Sequence, residues 1–195
     1  MMQEFDSLLE LLAMLLKDPR TGVLVALLLT ASVTDYFTYK IPNWLTVSGM
    51  LFGLVYSAVV PFSAQHGFLW AVCGLLIGFF STIPFYGLRV MGAGDVKLMA
   101  MVGACLGVTD TLYAILFSFI AGGVAALVFA LVNRALTQML INVRNIGQFF
   151  MFTVISGVAP QAELEVEHSI GKLPYGICIG IGSMTYLITR QLGFI

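Results

Sequence analysis

The sequence predicts an all-α membrane protein, a bundle of about six transmembrane helices, and three observations predict it. Mean hydropathy is +0.99 and charged residues make up 10% of the chain, against roughly 25% in soluble domains. Apolar runs recur between short polar breaks, most of them near the ~20 residues that an α-helix needs to cross the hydrocarbon core. No alternating strand pattern or barrel signature accompanies them. The 195 residues suffice for about six such spans with short loops and leave no room for a second folded domain. One membrane-embedded domain over residues 1–195 is therefore expected.

Charge and cysteine content narrow the function classes. A net charge of −1, with Lys and Arg scattered singly, gives no basic field for nucleic acid. Cys73, Cys105 and Cys178 lie inside apolar runs with no CxxC pair, so neither a zinc site nor a disulfide framework is expected. Glu4, Asp6 and Glu10 stand where a cleavable signal peptide would carry positive charge. No cofactor or metal is called for.

Residues 1–17 are Leu-rich but interrupted by those acids, which predicts an amphipathic segment lying on the membrane surface. Asp18-Pro19-Arg20 ends it, and a first span runs from about 21 to 39. Asp35 stands roughly 21 Å along that span at about 1.5 Å per residue, near its exit side. Pro42 in Lys40-Ile41-Pro42-Asn43 disfavours helix at Ile41 and can begin the next helix itself. The second span is expected near 44–62 and the third near 68–88, with His66 in the turn between them.

After Arg89 comes Gly92-Ala93-Gly94-Asp95. The apolar run behind it, 96–108, is only about thirteen residues long, short of the usual 17 or more. This fourth segment is expected to start below the membrane surface, in backbone that lines a wet cavity. A fifth span follows near 111–132, where Gly122-Gly123 offers a place for close helix approach. The loop 134–172 holds polar Arg134, Gln138, Asn142, Asn145 and Gln148 opposite Met139, Ile146 and Phe150, the pattern of an interfacial helix. It also holds Glu163, Glu165, Glu167 and His168, best read as a solvated acidic loop. The sixth span, near 173–189, opens with Pro174-Tyr175-Gly176.

Two crossings separate Asp35 from Asp95, so both acids return to one side of the membrane. If that side is cytoplasmic, its loops hold Lys40, Arg89, Lys97, Arg134, Arg144 and Lys172, against Lys17, Arg20 and Arg190 opposite. This favours an N-terminus outside and acids facing the cytoplasm. An intramembrane carboxylate costs at least about 2.5 kcal/mol on insertion scales and marks a functional site by default. Two carboxylates close together share one proton, so one can activate a water while the other protonates the carbonyl or leaving amine. From their helix ends alone, Asp95 at an N-terminus is expected to start ionised and Asp35 at a C-terminus protonated. Gly92 and Gly94 permit the tight turn that aims Asp95 inward. Lys97 is expected at the membrane edge, reaching headgroups or biasing the acid pair. A structural reading competes: Asp95 caps its helix or pairs with Lys97, and Asp35 pairs with Lys40.

With these motifs the chain resembles the type IV prepilin peptidases, GxGD intramembrane aspartic proteases that cut leader peptides from prepilins. The resemblance rests on Asp35 followed by Lys40-Ile41-Pro42-Asn43-Trp44-Leu45-Thr46, and on Gly92-Ala93-Gly94-Asp95-Val96-Lys97-Leu98 at the family's separation. Leu173-Pro174-Tyr175-Gly176 looks like a third family feature. The resemblance implies six spans, a multi-pass protein of the cell (inner) membrane, and cleavage at the cytoplasmic face by Asp35 and Asp95. It also implies a membrane-inserted prepilin as substrate, with a short basic leader ending in Gly. Longer members carry a paired-cysteine insertion and an N-methyltransferase activity; this chain departs from them and looks like the short forms serving Flp, or tight-adherence, pili. The rival from another class is a proton- or cation-coupled transporter using the same two aspartates, although no inverted repeat supports it.

Overall fold

A computed structural model describes residues 18–60, 67–88, 90–156 and 174–194. Regular structure among them is all helical: α1 (Pro19–Thr38), α2 (Asn43–Val59), α3 (Phe68–Gly87), α4 (Ala93–Val132), α5 (Leu136–Ser156) and α6 (Tyr175–Gln191). Three helices are long and apolar enough to cross a membrane, Pro19–Thr38, Phe68–Gly87 and Ala93–Val132, and Asn43–Val59 is a shorter apolar one. The protein is thus an all-α membrane protein. The chain divides into two compact units, Met1–Gly122 with Pro174–Ile195, and Gly123–Leu173. The expected surface segment 1–17, together with His66, Arg89, Glu163, Glu165, Glu167, His168 and Lys172, lies outside the described residues.

Local chemistry fixes the ends of the first two helices. Asp18 caps α1 by accepting the Arg20 N–H at 3.1 Å, with Pro19 in the first turn. The helix ends where Tyr39 takes a left-handed conformation, φ 50°, and returns its N–H to Asp35 O at 2.9 Å. Pro42, φ −64°, then leads directly into α2.

Within the first unit, α1 packs against α6 and α2, and α2 against α3. The helical run α4 is not one rod. Gly107 interrupts it with φ 75° and ψ −169°, a region essentially closed to residues with a side chain. A Cβ there would also overlap the Trp70 indole. Contacts on either side show that the chain turns back at this residue. Gly94, before the break, packs with Ile41 beside the start of α6. Asp110, just after it, forms an ion pair with Arg190 in the last turn of α6. Further on, Gly122 lies beside Tyr175, the first residue of α6. The expected segments 96–108 and 111–132 are therefore two antiparallel arms of one run, joined at Gly107, and Thr109 and Asp110 are already helical.

The first arm is the core of the unit. Val96, Leu98, Met99, Ala100, Met101, Val102, Ala104, Cys105 and Leu106 are all buried, so it shows no polar face. Its neighbours make room by presenting small residues. A Cβ on Gly53 would stand 2.9 Å from Ala104 O, and one on Gly74 or Gly78 would run into the carbonyls of Gly103 and Met99. Close backbone approach through small residues is the usual packing device of membrane helices. Gly122-Gly123, which in sequence offers a place for close approach or is incidental, is not used in this way. A Cβ at Gly122 would make an ordinary 3.5 Å contact with Tyr175, and one at Gly123 would meet nothing.

The second unit contains α5, entered through Asn133–Ala135 with Arg134 left-handed at φ 52°. Its 21 helical residues coincide with the helix expected after residue 134.

Candidate active site

Both intramembrane acids lie at one end of the first unit. Asp35, in the last turn of α1, is 5% exposed, and Asp95, in the first turn of α4, is 8% exposed. Their charges are near enough to act on one another. Two crossings thus return the chain to the same end, as the count of spans between the acids predicts.

Each carboxylate is fixed by backbone. Asp35 Oδ2 accepts the Gly176 N–H at 2.8 Å. Gly176 belongs to the first turn of α6, whose cap residue Pro174 supplies no side-chain hydrogen bond. The orphan donors of that helix start need an acceptor, and Asp35 provides it from α1, capping α6 from another helix. Asp95 Oδ2 accepts the Gly92 N–H at 2.9 Å, while the Asp95 N–H returns to Gly92 O at 3.1 Å. This closes the Gly92-Ala93-Gly94-Asp95 turn on itself and orients the carboxylate by its own backbone. The helix-end asymmetry expected from sequence is not what the site presents. Asp35 sits against the N-terminus of α6 as well as the C-terminus of α1, so both acids face backbone donors.

No ion pair reaches either acid among the described residues. The structural pairings weighed from sequence, Lys97 with Asp95 and Lys40 with Asp35, are absent from these residues. Lys97 Nζ donates instead to Asn43 Oδ1 at 2.8 Å, so it bridges the two motifs rather than neutralising the dyad. The capping reading is met in part, since Asp95 back-bonds ahead of its helix and Asp35 caps α6. The two roles are compatible, because a carboxylate held by one oxygen keeps acceptor capacity on the other.

Ile41 and Gly176 are neighbours that sequence reasoning did not assign to the site. A Cβ on Gly94 would lie 3.2 Å from Ile41 Cβ, and one on Gly176 would lie 2.8 Å from Asp35 Oδ2 and 3.0 Å from Ile41 Cδ1. Gly176 was visible as part of Pro174-Tyr175-Gly176; Ile41 gave no signal beyond its place before Pro42. Tyr175 and Cys178, also on α6, complete the surroundings within electrostatic range of the acids. No group of three or more His, Cys, Asp or Glu side chains able to hold a metal occurs among the described residues.

Fold and site together define a membrane-embedded helical protein with a pair of buried, backbone-held carboxylates. The model of the type IV leader peptidase family matches residues 22–127, more than half of the chain and including both acids. The chain belongs to that family. It is 30% identical over 113 residues to a prepilin leader peptidase/N-methyltransferase of Bacillus subtilis (strain 168), covering 57% of this chain and 45% of the relative. It is 30% identical over 114 residues to a protein of the same description from Pectobacterium carotovorum subsp. carotovorum, covering 55% of this chain and 40% of the relative. The chain thus spans less than half the length of these curated relatives. No solved structure matches it.

Proposed function

We propose that this protein is an intramembrane aspartic endopeptidase that removes the short basic leader from Flp-like type IV prepilins at the cytoplasmic face of the cell membrane. The observation that carries the reading is the pairing of Asp35 and Asp95 at one end of the bundle, with no neutralising cation among the described residues, in a chain of the type IV leader peptidase family. In the proposed reaction one carboxylate takes a proton from a water held between the two. The water attacks the scissile carbonyl while the other carboxyl donates its proton to the carbonyl oxygen. The tetrahedral intermediate then collapses as the leaving amine is protonated, restoring a dyad that shares one proton.

Cytoplasmic orientation with the N-terminus outside is supported by the excess of Lys and Arg expected on the acid side. Two of the three opposing cations are also internally partnered: Arg20 is buried and Arg190 pairs with Asp110. The Flp-like substrate is supported by cysteines that lie singly on helices α3, α4 and α6 rather than in a CxxC pair.

Co-expression with a candidate Flp-type prepilin tests the reading by gel shift of the leader. Asp35→Asn and Asp95→Asn should each reduce cleavage by about 10²–10⁴-fold, the range for removing a general acid or base, with the protein still inserted. Asparagine keeps an acceptor oxygen for the α6 N-terminus, so loss of cleavage in Asp35→Asn separates chemistry from capping. Processing that survives either substitution defeats the reading. Unprocessed prepilin with wild-type protein, alongside acid-dependent ion flux in vesicles, would favour the transporter.

A further inference from the structure

The turn between α1 and α2 is locked more tightly than a simple connection requires. Tyr39 holds a left-handed φ of 50° and bonds back to Asp35 O. Thr38 Oγ1 donates to Lys40 O at 3.1 Å, and Pro42 fixes φ at −64°. Beyond the turn, Thr46 Oγ1 donates to Asn43 O at 3.1 Å, and Asn43 Oδ1 receives Lys97 Nζ from α4 at 2.8 Å. A left-handed non-glycine residue costs energy and persists only where its surroundings over-determine it.

What the turn holds in place is Ile41. Its side chain stands between two glycines, Gly94 beside Asp95 and Gly176, whose N–H holds Asp35. Both glycines lack the atom that would collide with it, at 3.2 Å from Ile41 Cβ and 3.0 Å from Ile41 Cδ1. The same side chain also packs against the buried core. One residue therefore touches the backbone carrying each half of the dyad.

We propose that the Tyr39–Asn43 turn is a spacer that sets the separation of the two carboxylates, with Ile41 as the positioning side chain and the Lys97–Asn43 hydrogen bond as its clip. Its activity arm rests on the peptidase reading; its geometric arm does not. Shortening Ile41 lets the Gly94 turn and the α6 N-terminus close on the vacated space, which changes how the two acids share a water. Displacement of catalytic groups by about 1 Å can cost on the order of 100-fold in rate. Lys97, expected from sequence to reach headgroups or bias the acid pair, positions through Asn43.

Two measurements on the full-length protein test this. In the cleavage assay, Ile41→Ala should lower kcat by about 10- to 100-fold with KM unchanged, Ile41→Val by less, and Ile41→Leu should restore it. Lys97→Met should move kcat in the same direction more weakly. In parallel, Asp35→Cys and Asp95→Cys are combined in a background with Cys73, Cys105 and Cys178 replaced by Ala, and the pair is bridged with a short bifunctional thiol reagent. The cross-linking rate should rise several-fold on adding Ile41→Val, which removes only the methyl facing Gly176. A cross-link and a kcat both indifferent to Ile41→Val and Ile41→Ala overturn the proposal, as does a loss confined to KM. A cross-link that depends on Ile41, alongside wild-type protein that cleaves no prepilin, upholds the spacer and sinks the peptidase reading instead.

Discussion

The two ends of the first unit treat charge in opposite ways. At the end away from the acids, the described charges meet an opposite charge, a carbonyl or an aromatic face, although Arg20 Nε finds no hydrogen-bond partner among the described residues. Arg20, 4% exposed, donates to Val60 O at 2.6 Å and lies over the Tyr56 and Trp70 rings at 5.0 and 5.8 Å. Asp110 pairs with Arg190 and is reached by the Tyr186 hydroxyl. At the other end, two carboxyl groups are brought together, and Lys97 is given to an asparagine. Buried charges are ordinarily paired. Among the described residues, the far end offers its charges an opposite charge or an aromatic face, whereas the acid end gathers two carboxylates onto backbone donors, as the proposed dyad requires.

The comparison predicts that substitutions at the acid end change rate more than stability, and those at the far end the reverse. Apart from the two acids themselves, the largest effect on rate is expected at Gly176. Gly176→Ala puts a Cβ 2.8 Å from Asp35 Oδ2, so the carboxylate must move, and cleavage should fall by on the order of 100-fold with insertion retained. Gly123→Ala, where a Cβ meets nothing, is the matched control and should leave cleavage unchanged. A Gly176→Ala protein with normal kcat would show that the α6 N-terminus does not position Asp35.

The largest effect on stability is expected at Gly107. Gly107→Ala forces a side chain into φ 75°, ψ −169° and into the Trp70 ring. Backbone strain and overpacking each cost about 1–3 kcal/mol, so thermal unfolding in detergent should shift strongly downward. Arg20→Gln comes next. It removes the cation from Tyr56 and Trp70 and weakens the bond to Val60 O, at a cost of about 1–3 kcal/mol. Catalytic rate per folded molecule should be unchanged. A selective loss of kcat in Arg20→Gln would break the contrast between the two ends.

Much of this was legible in the sequence because hydropathy and chain parity are one-dimensional properties. The apolar runs gave the helices, and counting crossings brought Asp35 and Asp95 to the same end. What escaped was packing between helices. Gly49 and Gly53, Gly74 and Gly78, and Gly176 and Gly180 each recur four residues apart, a small-residue spacing that is written in the chain, yet Gly122-Gly123 drew attention by adjacency. Spacing of four places two glycines on one helix face, whereas adjacent glycines point to different faces. The trans cap of α6 by Asp35 and the seat of Ile41 were illegible for a stronger reason. They join residues 141 positions apart in the first case, and no local pattern encodes such a pairing. Arg20 was counted as a loop cation because it follows Asp18-Pro19; only its aromatic neighbours from α2 and α3 reveal that it is buried.

The smallest expected effect is also the sharpest control on the comparison. Asp110 and Arg190 form the ion pair that ties the returning arm of α4 to the end of α6, so it is tempting to assign it the hairpin. The Arg190 side chain is 53% exposed, however, and exposed pairs are worth only about 0–1 kcal/mol. The reversal is secured instead by Gly107, by Trp70 beside it, and by the close seat of Gly182 against Ser118 further along the arm. Asp110→Asn should therefore lower the unfolding temperature slightly, keep the Tyr186 contact through its amide, and leave cleavage unchanged. A collapse in stability comparable to that of Gly107→Ala would mean that the ion pair holds the far end together. That ion pair would then be a structural necessity, and the contrast between the two ends would weaken.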